Sequence, residues 1–130
     1  MFFRNLFFSV NLFFLCSVVF AQDQIVITPD YTQSEIRTKR AELSVLVNKA
    51  EDLSFSGTVF IDFGENPDNL TAESVGVILP TENFNEKNYY FKRDDLDAGQ
   101  TYYYKWRLES NEIGSLSTDL LSFTTLNGFG

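Results

Sequence analysis

The densest cluster of side chains capable of chemistry is the acidic run Asp94-Asp95-Leu96-Asp97. Carboxylate oxygens bind Ca²⁺, and Gly99 takes the sixth place of an EF-hand-like loop counted from the first Asp. Leu96, Ala98 and Lys105 then stand at the third, fifth and twelfth places, where such a loop needs oxygen ligands. We therefore interpret the run as a solvated loop and predict no metal site and no cofactor.

Side chains for nucleophilic catalysis are scarce. The chain has no histidine, and its single cysteine, Cys16, lies in an apolar N-terminal segment. Without these groups Ser-His-Asp and Cys-His catalysis, imidazole or thiolate zinc sites and a structural disulfide are excluded for the rest of the chain. Paired carboxylates can cleave glycosides, but a domain of about 100 residues with short loops rarely forms the necessary cleft. We predict a non-enzyme with no catalytic residues.

Three tyrosines are candidates for a ligand-binding surface. An aromatic row on a sheet can stack against sugar rings or against an apolar protein surface. The alternative, which we favour, places Tyr89 in the core and makes Tyr90 and Tyr103 cross-strand partners. Tyr90 and Tyr103 remain the possible ligand-contacting aromatics.

The charge balance restricts the partners. The 130 residues carry 10 basic and 18 acidic groups, a formal net charge of −8. An acidic protein is repelled by nucleic acid and by anionic membrane surfaces. We expect neither as a partner, and a protein or a glycan of unknown identity instead.

Residues 1–21 have the pattern of a secretory signal peptide. Arg4 precedes a dense apolar run that ends at Ala21, and a cut before Gln22 fits a signal-peptidase site. The apolar run of 16 residues is shorter than the ~20 that span a bilayer. A lipid-modified Cys16 is disfavoured because the bulky Leu15 precedes it. We expect a domain at 22–126, a tail at 127–130, no membrane span after cleavage, and a secreted, periplasmic or cell-surface location.

Apolar residues then recur with period two, the pattern of half-buried strands. The clearest case is 101–108, where Tyr102, Tyr104, Trp106 and Leu108 share one face. Seven such segments predict an all-β, seven-stranded antiparallel sandwich. The predicted strands are 24–28, 41–47, 58–63, 75–79, 89–93, 101–108 and 121–125.

One segment has two interpretations. Thr32-Gln33-Ser34-Glu35 matches a helix capping box, and apolar residues from Ile36 to Ala50 fall at helical spacing, so 35–53 is a possible amphipathic helix. We favour a strand because the sandwich requires a second one at this point in the chain.

The segment Leu96-Asp97-Ala98-Gly99-Gln100-Thr101-Tyr102 resembles the E–F corner of fibronectin type III domains. The later 114–117 and 121–125 resemble that family's F–G turn and its closing strand. The resemblance implies an immunoglobulin-like sandwich with a structural corner formed by Leu96, Gly99, Tyr102 and Trp106. In such a corner the hydroxyl of Tyr102 bonds to the backbone a few residues upstream, and Trp106 points inward.

This sequence departs from the family pattern at four positions. Ala98 and Gln100 replace the usual Pro and Thr, and Arg93 stands where an apolar residue is usual. The family's buried Trp on the second strand is also absent. These differences affect the register of the strand at 89–93 more than the fold.

By analogy of fold, the resemblance implies a secreted or cell-surface binding or spacer module that mediates protein–protein contact. A carbohydrate-binding module is one alternative, and it needs Tyr90 and Tyr103 exposed and coplanar. An accessory β-sandwich of a larger hydrolase, such as a purple acid phosphatase, is the other. That alternative requires a catalytic part beyond Gly130 and makes this chain a fragment.

Overall fold

A computed structural model describes residues 25–128 of the chain. The predicted signal peptide at 1–21 and the last two residues lie outside this range. The described part is all-β, with one 3₁₀ turn at Tyr31–Gln33. No helix within it is long and apolar enough to cross a membrane. Its strands are β1 (Ile25–Pro29), β2 (Glu35–Ile36), β3 (Ala41–Lys49), β4 (Gly57–Gly64), β5 (Thr71–Ile78), β6 (Glu86–Arg93), β7 (Thr101–Ser110), β8 (Gly114–Ser117) and β9 (Leu121–Thr124).

The strands form two antiparallel sheets that pack face to face as a sandwich. In the four-stranded sheet, β3 is central, with β6 on one side and both β1 and β2 on the other. In the five-stranded sheet, β5, β4 and β7 are neighbours in that order, and both β8 and β9 pair with the far side of β7. The predicted fold class is confirmed.

The predicted number of seven strands is wrong, because the described residues form nine. The two extra strands arise where an edge strand is divided. β1 and β2 follow the same side of β3, separated by Pro29 and by the 3₁₀ turn. Asp30 caps that turn by accepting a hydrogen bond from the Thr32 backbone N–H. A proline cannot donate to the ladder, so the edge strand is interrupted here.

The second division lies between β8 and β9. Residues 114–117, expected to belong to a turn, are a strand paired with β7. At the break Thr118 keeps the ladder connected: its N–H donates to the Trp106 carbonyl (3.0 Å) and its Oγ1 accepts from the Trp106 N–H (3.0 Å). One threonine side chain therefore replaces a missing backbone partner.

The segment with two interpretations is extended. β2 and β3 occupy it, and Leu43, Val45 and Val47 face the core together. The strand interpretation is confirmed. The physical reason is that these side chains cover the inner face of the five-stranded sheet. An amphipathic helix at 35–53 is excluded.

The core contains the inward residues of both sheets and is rich in aromatic rings. Trp106, Ile61, Leu108, Val45 and Val47 are fully buried. A second group of aromatic rings packs at the end of the sandwich nearest the 96–102 corner, with ring centroids 5.0–6.1 Å apart, and it comprises Phe63, Phe91, Tyr102, Tyr104 and Phe123. Such contacts are the main source of stability in a domain without disulfides.

The register of β6 explains the unusual Arg93. Tyr89 and Phe91 pair with Val45 and Leu43 and point inward. Arg93 has the same parity but stands at the end of the strand, where its guanidinium lies 5.0 Å from the Phe91 ring and 5.4 Å from the Phe63 ring. The side chain covers the end of the core with its stem while its charge reaches solvent.

Candidate functional site

The 96–102 corner is a hydrogen-bonded connection between the sheets. The Tyr102 hydroxyl accepts a hydrogen bond from the Asp97 N–H (2.9 Å). Leu96 is buried, and its N–H donates to the Lys39 carbonyl. Gly99 has φ +65°, and a Cβ there would lie 2.6 Å from Oδ1 of Asn127, so glycine suits the position. These contacts join the corner to the neighbouring segments of both sheets.

Trp106 lies in the core rather than at a surface. Its side chain is fully buried, and its Nε1 has no hydrogen-bond partner among residues 25–128. The ring meets Tyr104 edge-on at 6.3 Å. Its location implies a packing role.

The structure places Tyr90 and Tyr103 on different sheets. Tyr90 is on β6 of the four-stranded sheet and is 54% exposed, whereas Tyr103 is on β7 of the five-stranded sheet and is half-buried. Because the sheets back onto each other, the two rings face opposite sides of the molecule. They cannot form one aromatic platform, so the requirement of the carbohydrate-binding alternative is not met.

The carboxylates of the acidic run lie in an exposed connection. Asp94, Asp95 and Asp97 are all exposed. Over residues 25–128 no three Asp, Glu, His or Cys side chains are arranged to hold a metal ion. The run forms the connection between β6 and β7, and Asp95 has φ 60°, a left-handed conformation that Asp tolerates in turns.

A fixed ionic network lies on the outer face of the five-stranded sheet. Arg107 donates from Nε and Nη2 to the two carboxylate oxygens of Asp62, both at 3.0 Å, and from Nη1 to Glu109 at 2.8 Å. Its guanidinium also lies 4.5 Å from the Phe60 ring centroid. The bidentate pair holds the guanidinium plane over the ring, an arrangement that lysine cannot reproduce.

Within this network, hydrogen bonds shift the pKa values of Arg107 and Glu109 in opposite directions. Hydrogen bonds to Asp62 and Glu109 raise the pKa of Arg107. Hydrogen bonds from Arg107 and then from Ser115 lower the pKa of Glu109. Arg107 therefore stays protonated far into alkaline solution, and Glu109 stays ionised further into acid solution than an isolated glutamate.

A groove with a mixed polar and apolar lining runs beside this network. It has a volume of about 490 Å³, and it combines exposed aliphatic side chains with the edge of the network. Val77 and Leu79 are 55% and 53% exposed, and Phe60 is half-buried. Its lining includes Gly57, Thr58, Phe60, Val77, Leu79, Arg107 and Glu109.

Sequence reasoning missed this face. Alternation correctly places Asp62 and Arg107 on the outer side of their strands, but they are 45 residues apart. Asp62 is directly opposite Lys105, and Arg107 is directly opposite Phe60, so the ion pair is diagonal. Only the register of β4 against β7 reveals it.

A second, acidic cleft lies between the edges of the two sheets. It has a volume of about 370 Å³, and Glu65, Glu73, Asp95 and Asp97 line it together with Arg93. Arg93 forms an ion pair with Glu73 at 3.3 Å. Four acids and one base leave this cleft negative.

Comparison with solved structures agrees with the strand arrangement. The sensor domain of the anti-sigma factor RsgI4 from Pseudobacteroides cellulosolvens, in a short version, is 22% identical, has a TM-score of 0.52 and is matched over 80% of this chain and 96% of that one. Its solution structure has a TM-score of 0.56 at 19% identity, over 79% of this chain and 76% of that one. The chain has a fibronectin type III-like fold.

A fibronectin type III domain from the human KIAA0970 protein is also similar, with a TM-score of 0.42 and 16% identity over 81% of this chain and 74% of that one. No protein-family model and no curated protein matches the sequence. At these identities the likeness shows the fold alone, so function must be argued from the surface.

Proposed function

We propose that the chain is an exported, non-catalytic binding module that contacts a protein partner through the outer face of its five-stranded sheet. The observation that carries this proposal is the groove in which Val77 and Leu79 are exposed beside the fixed Arg107 network. An apolar strip rimmed by ordered polar groups is typical of a protein contact surface. Arg107 adds a pre-ordered group of a type enriched at such surfaces.

Export is part of the proposal and rests on the leader pattern at 1–21. The chain is expected to be cleaved before Gln22 and to act in a secreted, periplasmic or cell-surface location. One protein of similar fold is the sensor domain of an anti-sigma factor. A sensor domain detects a signal, which supports a binding role for the same fold here.

The accessory-domain alternative shares this binding face. A sandwich beside a hydrolase catalytic domain also needs a protein contact, in that case within one polypeptide. Detection of a longer gene product would favour that alternative over an independent module.

The experiment compares two matched variants of the exported chain. Val77→Asp puts a charge into the groove, whereas Val26→Asp puts one at an equally exposed valine on β1 of the other sheet (50% against 55% exposed). Each tagged protein is used to capture partners from the source organism's envelope and culture medium. We expect Val77→Asp to lose the partners that wild type and Val26→Asp retain.

Melting temperatures serve as the control for folding, because both substitutions are on solvent-facing positions and should leave them nearly unchanged. Equal loss of partners by both variants would contradict a contact centred on the groove. Retention by both would place the contact elsewhere on the molecule.

A further inference from the structure

The edges of the two sheets differ in how well they are protected against pairing with another strand. A free edge exposes unpaired backbone groups, and proteins block such edges with proline, charge or interruptions. The edge formed by β1 and β2 contains Pro29 and the 3₁₀ turn. The edge formed by β8 and β9 is broken at 118–120. β6 carries four charged residues at its two ends, Glu86, Lys87, Lys92 and Arg93.

The β5 edge has only one protective device, a bulge. It is eight residues long, contains no proline and carries a single charge, Glu73. Among the described strands it pairs only with β4. A bulge shifts its register near Val75, but regular pairing continues on both sides, from Thr71 to Ser74 and from Gly76 to Ile78. Its first four residues and Val77 are exposed.

We propose that β5 receives an extended segment of a protein partner as an added antiparallel or parallel strand, and that this segment carries a basic and an apolar side chain on opposite faces. The proposal rests on the proposed function, because Val77 belongs to both. Beyond that function, the inference specifies that the partner segment is extended and carries one basic and one apolar side chain. Strand addition supplies affinity through main-chain hydrogen bonds and specificity through alternate side chains.

The two cavities flank the two ends of β5 and define the chemistry of the occupant. Thr71 and Glu73 belong to the acidic cleft, whose other carboxylates are Glu65, Asp95 and Asp97. A Lys or Arg facing that cleft would meet an excess of negative charge. Val77 and Leu79 border the groove at the other end, so an aliphatic side chain is expected there.

The register of β4 sets the spacing of these two contacts. Glu73 is opposite Ile61, which faces inward, and Val77 is opposite Thr58, which faces outward. The two β4 residues are three positions apart on a regular strand. A regular strand added to the other side of β5 would therefore place its basic and apolar residues three positions apart, on opposite faces.

A second copy of the chain fits this edge poorly. Each copy has a formal net charge of −8, so two copies brought edge to edge repel each other. Like charges at close range oppose association. A basic partner segment removes that repulsion.

The probe is a labelled ten-residue peptide of threonines with one lysine and one valine three positions apart. Binding to the full exported chain is measured by fluorescence anisotropy. Two further peptides carry N-methyl groups on every second amide. One is methylated at the odd-numbered residues and the other at the even-numbered residues. Because only one phase points its N–H groups at β5, we expect one N-methylated peptide to bind about tenfold more weakly and the other to bind normally.

Charge variants test the acidic end. Glu73→Lys is expected to weaken binding about fivefold, the effect of a partly exposed ion pair. Glu51→Lys makes the same change of charge at an exposed turn after β3 and should leave binding unchanged. A peptide with glutamate in place of lysine should bind wild type more weakly and Glu73→Lys more tightly.

Three results would overturn the inference. If both N-methylated peptides still bind and Val77→Asp still loses its captured partners, strand addition is rejected. The groove would then remain the proposed contact surface. No measurable binding at millimolar peptide would reject the stated chemistry. Concentration-dependent dimers in sedimentation, abolished by Val77→Asp, would assign the edge to a second copy instead.

Discussion

A single side-chain hydroxyl ties the corner at 96–102 to the strand that follows it. Tyr102 buries its ring against Phe63 and Phe123, at 5.4 and 5.6 Å, while its oxygen accepts the Asp97 N–H. The neighbouring Tyr103 has the opposite parity and lies on the outer face. Two adjacent tyrosines therefore have different structural roles, one in the core and one at the surface.

We expect Tyr102→Phe to lower the free energy of unfolding by about 1–3 kcal/mol, because the Asp97 N–H loses its partner while the ring stays buried. Tyr103→Phe is the matched control and should change it by less than about 0.5 kcal/mol, as for ordinary surface positions. Denaturant midpoints of the two variants provide the measurement. A larger loss for Tyr103→Phe would mean that the assigned parity of β7 is wrong by one residue.

At the scale of elements, the division of an edge strand into β8 and β9 depends on one threonine. Trp106 is at the centre of the core, and its backbone N–H has Thr118 Oγ1 as its partner. The interruption therefore protects the edge of the sheet and still leaves the Trp106 backbone N–H with a partner. β5, by contrast, has a bulge but no break in its pairing with β4, and it is the edge that we propose for strand addition.

The substitution Thr118→Val keeps the shape of the side chain and removes its oxygen. We expect a loss of about 1–3 kcal/mol in stability, because the Trp106 N–H is left unsatisfied. Thr124→Val is the control: its Oγ1 bonds only to Thr101 Oγ1 at the surface and its loss should be small. Urea unfolding monitored by Trp106 fluorescence measures both. Equal losses of stability in the two variants would show that contacts other than the Thr118 hydroxyl stabilise the break between β8 and β9.

For the whole molecule, the burial of tyrosines couples folding to alkaline pH. Burial raises the pKa of Tyr104 to about 12, with a smaller contribution from Tyr31. Burial also raises the pKa of Tyr89. Because the folded-state values exceed the ordinary value of 10.0, the neutral rings stabilise the fold fully below pH 10, and this contribution is lost as pH rises toward 12.

We therefore expect the free energy of unfolding to fall steadily between about pH 10 and 12, with no matching change between about pH 7 and 9. Tyr104→Phe should flatten this decline, because phenylalanine does not ionise. Tyr90→Phe, an exposed tyrosine on the other sheet, should leave the decline as it is. Thermal unfolding followed by far-ultraviolet circular dichroism across this pH range gives the test. An identical decline in both variants would mean that groups other than Tyr104 cause the loss of stability at alkaline pH.

Several features follow from the sequence alone because their causes are local. The alternation in 101–108 requires a strand with one buried face, and repeated alternation in a chain without disulfides leaves little but two packed sheets. The absence of histidine removes whole classes of catalysis before any fold is known. These conclusions depend on residue type and on spacing within ten or so residues.

Tertiary structure decided the rest, because alternation specifies which side of a strand is buried but not which sheet the strand joins. Tyr90 and Tyr103 both have outward parity, yet they lie on opposite sheets. Asp62 and Arg107 meet only through the register of β4 and β7. The open edge at β5 exists only because the chain pairs that strand once. Each of these depends on contacts between distant segments, and the energies that select them come from packing rather than from local preference.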